Sequence, residues 1–146
     1  MSGTFDITRL VTFGDTNLVG NVYFARYLAW QGECREHFIA RNAPGLLDQL
    51  RDGLSLVTVD CACEFFAELY AMDTVTIRMS LAAMDGHRVA MRFDYYRSDR
   101  GSEQLVARGS QTIAVMRRGP DGMVPAELPV ELATALAAYE PIGSGR

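Results

Sequence analysis

Hydrophobic and polar positions trade places along this chain in two rhythms. Between Asp73 and Leu81, the apolar residues Val75, Ile77, Met79 and Leu81 alternate with Thr74, Thr76, Arg78 and Ser80. That period of two marks a strand with one buried face. Asp85-Gly86 signals a hairpin, and the segment Arg88 to Arg97 repeats the rhythm through Val89, Met91, Phe93 and Tyr95. A turn over Ser98 to Ser102 leads into a last long strand, Leu105 to Met116. Two further strands are expected, over Leu54 to Phe66 and over Phe5 to Phe13. In the latter Phe5, Ile7, Val11 and Phe13 share a face that Arg9 interrupts.

The second rhythm is helical. Asn21 reads as an N-cap for a long helix from Val22 to about Arg41, and Asn42-Ala43-Pro44-Gly45 supplies the stop. A short helix is expected over Val130 to Tyr139, after Pro129. At ~100° per residue, Phe24, Leu28, Phe38 and Ile39 gather on one side of the long helix, and Arg26, Glu33, Glu36, His37 and Ala40 on the other. A twisted sheet of five antiparallel strands can bury one face by wrapping around that helix. The pattern therefore predicts an α+β domain over residues 1–142, with Gly143 to Arg146 as a loose tail.

Polar side chains within the apolar stripe are the first candidates for chemistry. Arg35 projects near its middle, Gln31 lies beside it and Tyr27 sits toward its edge. A buried arginine without a partner costs several kcal/mol. Either Arg35 reaches the helix end or an acid such as Asp60 or Glu64, or it serves as a cation for a developing negative charge. Gln31 reads as a satisfied core amide. Glu33 and Glu36 point outward, and Glu33 with His37 reads as an exposed i,i+4 pair. Before the helix, Gly20 allows close approach of backbone to a ligand. The amides of Val22, Tyr23 and Phe24 are expected to be the unpaired donors of a helix N-terminus, suited to an oxyanion. Asp15, Thr16 and Asn17 read as turn residues on their own.

Composition narrows the class. A chain of 146 residues with a net charge of -4 fits one domain and offers no basic surplus for nucleic acid. No segment approaches the ~20 apolar residues of a membrane span, and no signal peptide is evident. The three cysteines, Cys34, Cys61 and Cys63, form no disulfide framework, and reduced thiols suit a cytoplasm. With His37 and His87 isolated, no zinc site is expected, and no other cofactor is implied.

The stretch Val11-Thr12-Phe13-Gly14-Asp15-Thr16-Asn17-Leu18-Val19-Gly20-Asn21-Val22-Tyr23-Phe24-Ala25-Arg26-Tyr27-Leu28-Ala29-Trp30 resembles the signature of the 4-hydroxybenzoyl-CoA thioesterase branch of hotdog enzymes. That signature reads F-x-D-x-D, a small residue, a glycine, then a helix opening with aromatics. The resemblance implies the hotdog fold over nearly the whole chain, thioester hydrolysis, and a dimer with composite sites that is commonly doubled to a tetramer. In that branch the second aspartate is the catalytic carboxylate. Here Asn17 stands in its place, while Asp15 is kept.

Asn17, Tyr27 and Arg35 together resemble the thioesterases that accompany iterative enediyne polyketide synthases. What this implies is release of a polyene β-keto or β-hydroxy chain from an acyl carrier protein, the freed acid decarboxylating to a methyl ketone. An amide is no general base at neutral pH. Asn17 is therefore expected to orient water or thioester, the amides near Tyr23 and Phe24 to hold the carbonyl oxygen, and Arg35 with Tyr27 to bind the 1,3-dicarbonyl oxygens or enolate. Phe65, Phe66 and Tyr70 are candidates for the acyl tunnel. Arg35 lies some ~18 Å beyond the helix start. Either the 14–20 loop folds back along the helix, or Arg35 acts deeper in the tunnel or across the dimer. The alternatives are a general acyl-CoA thioesterase and a non-catalytic acyl-carrier-binding module. A hotdog dehydratase lacks its histidine here.

Overall fold

Alternating apolar and polar residues leave the middle of the chain little choice but to pair with itself. A computed structural model describes residues 3–99 and 101–140; the expected tail at 143–146 and the end of the domain at 142 lie outside these. Strands β3 (Thr74–Asp85), β4 (Arg88–Asp99) and β5 (Ser102–Gly119) form a meander. The connection between β3 and β4 is the two-residue turn Gly86-His87, in which Gly86 takes a φ of 59°. β1 (Phe5–Leu10) joins the free side of β3, and β2 (Leu54–Phe65) the far side of β5, giving the order β1-β3-β4-β5-β2. All pairs are antiparallel.

The sheet curls around α1 (Phe24–Asn42), as the hotdog architecture requires. Val75, Ile77, Met79, Val89, Met91, Phe93 and Tyr95 are buried against it. The helix answers with Tyr27, Trp30, Gln31, Cys34, Phe38 and Ile39. This stripe is rotated from the expected one: Tyr27 is central, Phe24 is exposed and Leu28 half-buried. Hydrophobicity alone picked Phe24, which covers the cleft described below rather than the core. The Tyr95 hydroxyl donates to the Tyr27 carbonyl at 2.7 Å, tying helix to sheet within the core.

Two boundaries differ from expectation, and two short elements are added. β1 stops at Leu10, and Phe13 lies exposed in a 3-10 turn over Phe13–Asp15. The long helix starts at Phe24, because Asn21 and Val22 are held in bridges to Tyr70 and Thr16. α2 (Leu46–Arg51) and the hairpin strand β6 (Gly122–Pro125), too short to carry a period, accompany α3 (Val130–Ala137). β6 pairs with β5, so the sheet has six strands. Arg9 breaks the alternation of β1 because its guanidinium pairs with Glu33 at 2.5 Å and lies over the Trp30 ring at 5.1 Å. Glu33 thus bonds Arg9 rather than His37. Among the described residues no helix is long and apolar enough to cross a membrane, and no cluster of metal-ligating side chains forms.

Candidate active site

The loop from Thr12 to Tyr23 is organised around one carboxylate. Asp15 is 2% exposed and accepts from the Thr12 N–H at 2.9 Å and its hydroxyl at 3.0 Å. Arg26 of α1 reaches it at 3.0 Å and Arg9 of β1 at 3.7 Å. Burial acts to raise its affinity for a proton, but the Thr12 hydrogen bonds and the two guanidiniums outweigh it and hold the group below the usual carboxylate range. Asp15 is therefore a fixed anion that joins strand, loop and helix, rather than a mere turn residue. Its backbone carbonyl takes the Tyr23 N–H at 2.9 Å.

Asn17 heads the exposed turn Asn17-Leu18-Val19-Gly20. Its Oδ1 accepts the Val19 N–H at 3.0 Å, and its carbonyl the Gly20 N–H at 3.0 Å. The side-chain oxygen is thus engaged by the loop, leaving the Nδ2 donors to face a ligand. Gly20 has a φ of 96°, with open space where a Cβ would stand. It serves the turn and not a close backbone approach.

Behind the turn opens a cleft of about 470 Å³, lined among others by Asn17, Tyr23, Phe24, Tyr27, Phe65 and Phe66. Val22 lines it as well, but two of the expected donors are spent. The Val22 N–H goes to the Leu69 carbonyl at 2.8 Å and the Tyr23 N–H to Asp15. The donors of the first helical turn are the amides of Phe24 and Ala25, which find no backbone acceptor. Tyr27 closes the floor, its ring 4.9 Å from that of Phe65. Burial first, and the negative charge of Glu68 second, push its hydroxyl well above the ordinary tyrosine range, so it acts as a donor and not as a base.

Arg35 is not in this cleft. It stands two turns beyond Tyr27, roughly 12 Å along the helix axis. There Nη1 donates to Gln111 Oε1 at 2.7 Å and, at 3.4 Å, to the Thr58 hydroxyl, while Nε is buried without a partner. Neither Asp60 nor Glu64 pairs with it, since both are exposed. Burial pushes its guanidinium below the usual arginine range, against the raising influence of Glu36, yet arginine remains charged. Gln111 in turn donates through Nε2 to Gln31 Oε1 at 3.4 Å, and Gln31 Nε2 donates to the Ala62 carbonyl at 3.0 Å. Gly109 makes room for this: a Cβ there would collide with Gln31 Nε2 and lie 2.9 Å from the Ala62 carbonyl oxygen. The 14–20 loop stays at the helix start and does not fold back toward Arg35.

The fold thus gathers Asn17, Val22, Tyr23, Phe24, Tyr27, Phe65 and Phe66, and leaves Gly20 and Arg35 outside. It adds Asn21, read from the sequence only as a helix cap, and two residues the sequence did not single out, Ala67 and Glu68. Among the cleft-lining residues Glu68 is the one carboxylate, and its Oε1 accepts from Asn21 Nδ2 at 2.6 Å. Its place two residues after the Phe65-Phe66 pair was the available signal.

Known proteins resemble this chain in sequence and in fold. Residues 11–136 match the family model described as the thioesterase-like superfamily. The chain is 30% identical over 107 residues to a 1,4-dihydroxy-2-naphthoyl-CoA hydrolase of Synechocystis sp., covering 73% of this chain and 76% of that protein. Its structure superimposes on crystal structures of the dynemicin thioesterase with a TM-score of 0.91 at 55% identity, covering 94% of this chain and 97% of that one. The 4-hydroxybenzoyl CoA thioesterase from Pseudomonas sp. strain CBS-3 shares the fold, with a TM-score of 0.76 at 20% identity over 90% of this chain and 98% of that one. The chain belongs to the thioesterase-like superfamily, as a hotdog enzyme that hydrolyses thioesters.

Proposed function

We propose that the protein releases a polyene β-keto or β-hydroxy acyl chain from the acyl carrier protein of an enediyne polyketide synthase. Hydrolysis of the β-keto chain yields a free β-keto acid, which loses carbon dioxide to give a methyl ketone. The observation that carries this reading is the likeness, at 55% identity over nearly the full chain, to a dynemicin thioesterase whose crystal structures concern polyene binding. The aromatic walls of the cleft suit a long conjugated chain, and three free thiols suit a cytoplasmic enzyme. A general acyl-CoA thioesterase is the second reading, favoured by the naphthoyl-CoA hydrolase relative.

In this reading the Phe24 and Ala25 amides hold the thioester oxygen, and Asn17 Nδ2 and the Tyr27 hydroxyl orient the reacting groups. Arg35 binds the β-keto oxygen of a chain held in the partner subunit's cleft. Support comes from β2, a 12-residue edge strand that leaves Val57, Val59 and Phe65 exposed, with Phe66 just beyond it; such an edge invites pairing with a second copy. Antiparallel self-pairing about a twofold between Cys61 and Ala62 sets Phe65 of one copy beside Thr58 of the other. It thereby removes the separation of about 20 Å between those two residues within one chain. Two such dimers form the tetramer.

Thiol release from matched β-ketoacyl carrier protein, β-ketoacyl-CoA and saturated acyl-CoA tests the substrate. Preference for the β-keto carrier substrate is expected; equal rates on all three would favour the general thioesterase. Arg35→Ala is expected to lower kcat about 100-fold on β-keto substrates. Wild-type turnover by folded Arg35→Ala protein would remove Arg35 from the chemistry. Asn17→Asp, which trades the Nδ2 donors for an acceptor, is expected to lower kcat about tenfold or more; unchanged turnover would make Asn17 a spacer.

A further inference from the structure

With an amide at the position of the family's carboxylate, the cleft needs another group to take a proton from water. We propose that Glu68 is that general base. Four observations place it there. It is the carboxylate among the side chains lining the cleft, together with Asn17, Phe24 and Tyr27. One oxygen, Oε1, is fixed by Asn21 Nδ2 at 2.6 Å, which leaves Oε2 available. The backbone around it is immobilised: Arg97 Nη1 donates to the Glu68 carbonyl at 2.8 Å, and the neighbouring Leu69, fully buried, accepts the Val22 N–H at 2.8 Å. The loop that begins the helix and the segment that carries Glu68 are thus bonded together, so carboxylate and helix-start amides keep one geometry. Finally, the negative charge of Glu68 reaches the Tyr27 hydroxyl, raising its affinity for its proton alongside burial.

The step balances within the cleft. Water attacks the thioester carbon as its proton passes to Glu68, and the carbonyl oxygen becomes an oxyanion at the Phe24 and Ala25 amides. Collapse of that intermediate breaks the carbon–sulfur bond, and the departing thiolate takes the proton back from the Glu68 carboxyl. The products are the free acid and the thiol, with no other reactant consumed. The charged and titratable groups that act on the Tyr27 hydroxyl are Glu68, the Cys63 thiol, the Arg97 guanidinium and Asp73, the last two 3.9 Å apart.

This rests on thioester hydrolysis in this cleft and is independent of which acyl chain enters it. The test uses the full-length enzyme and a medium-chain β-ketoacyl-CoA, with released thiol titrated across pH. Glu68→Gln keeps the size of the side chain and an acceptor for Asn21. Its kcat should fall about 100-fold, with KM little changed. The rise of rate with pH on the acidic side should flatten. Glu68→Ala should regain part of its turnover when formate is added, while Gln at that position should not. Retention of kcat and of the acidic limb by Glu68→Gln would overturn the assignment. So would a loss seen only in KM, or a Glu68→Ala enzyme that formate leaves unmoved. If the wild-type protein itself released no thiol from any substrate, the reading of the cleft as a hydrolytic site would fall instead, a separate outcome.

Discussion

At the scale of single residues, charge placement decides both stability and chemistry. Asp15 has its folded-state pKa lowered, so its contribution is present above the unfolded carboxylate range, about pH 4, and is lost as pH falls through the lower folded value. Asp15→Ala is expected to cost about 2 kcal/mol at neutral pH, read by denaturant titration, and the difference from wild type should shrink in acid. A penalty that stays constant down to pH 2 would contradict this account. Asp15 looked like a turn residue because its guanidinium partners come from β1 and α1, remote in sequence or on another face. Arg35 was legible as an anomaly in an apolar stripe. Its partner Gln111 was not, since a glutamine on a strand carries no spacing that points at a helix.

At the scale of elements, the meander β3-β4-β5 was readable in order and facing, with strand ends two to four residues short, because a period of two over three long strands has one solution that buries its apolar face. The start of α1 was not. Asn21 has the chemistry of a cap, but its side chain is drawn to Glu68 and its backbone to Tyr70. That competition lies outside the local sequence, and it moved the free amides from Val22 and Tyr23 to Phe24 and Ala25. The amide chain Gln31–Gln111 is the other element-scale feature. The Ala62 carbonyl can only accept, so Gln31 must present Nε2 to it and Oε1 to Gln111. Gln111 is then turned with its oxygen toward Arg35. Gly109→Ala forces Gln31 out of this register and is expected to cost about 1–3 kcal/mol, measured as a lowered denaturant midpoint. An unchanged midpoint would mean that the β5 backbone yields.

At the scale of the whole molecule, the long exposed edge β2 is what a single copy leaves unfinished. Val57→Lys with Val59→Lys replaces exposed apolar side chains of this edge with charges and should turn the proposed dimer into monomers in sedimentation velocity, with loss of turnover but not of fold. A fully active monomer would confine the reaction to one chain. The distance along α1 between Tyr27 and Arg35 carries one more consequence. If each reaction centre draws its arginine from the neighbouring copy, two inactive proteins can repair one another. Subunits of Arg35→Ala and Asn17→Ala, unfolded together and refolded as a mixture, should recover roughly a quarter of wild-type activity, because half the reassorted pairs hold one complete centre. Within one chain, no mixing of the two could restore anything.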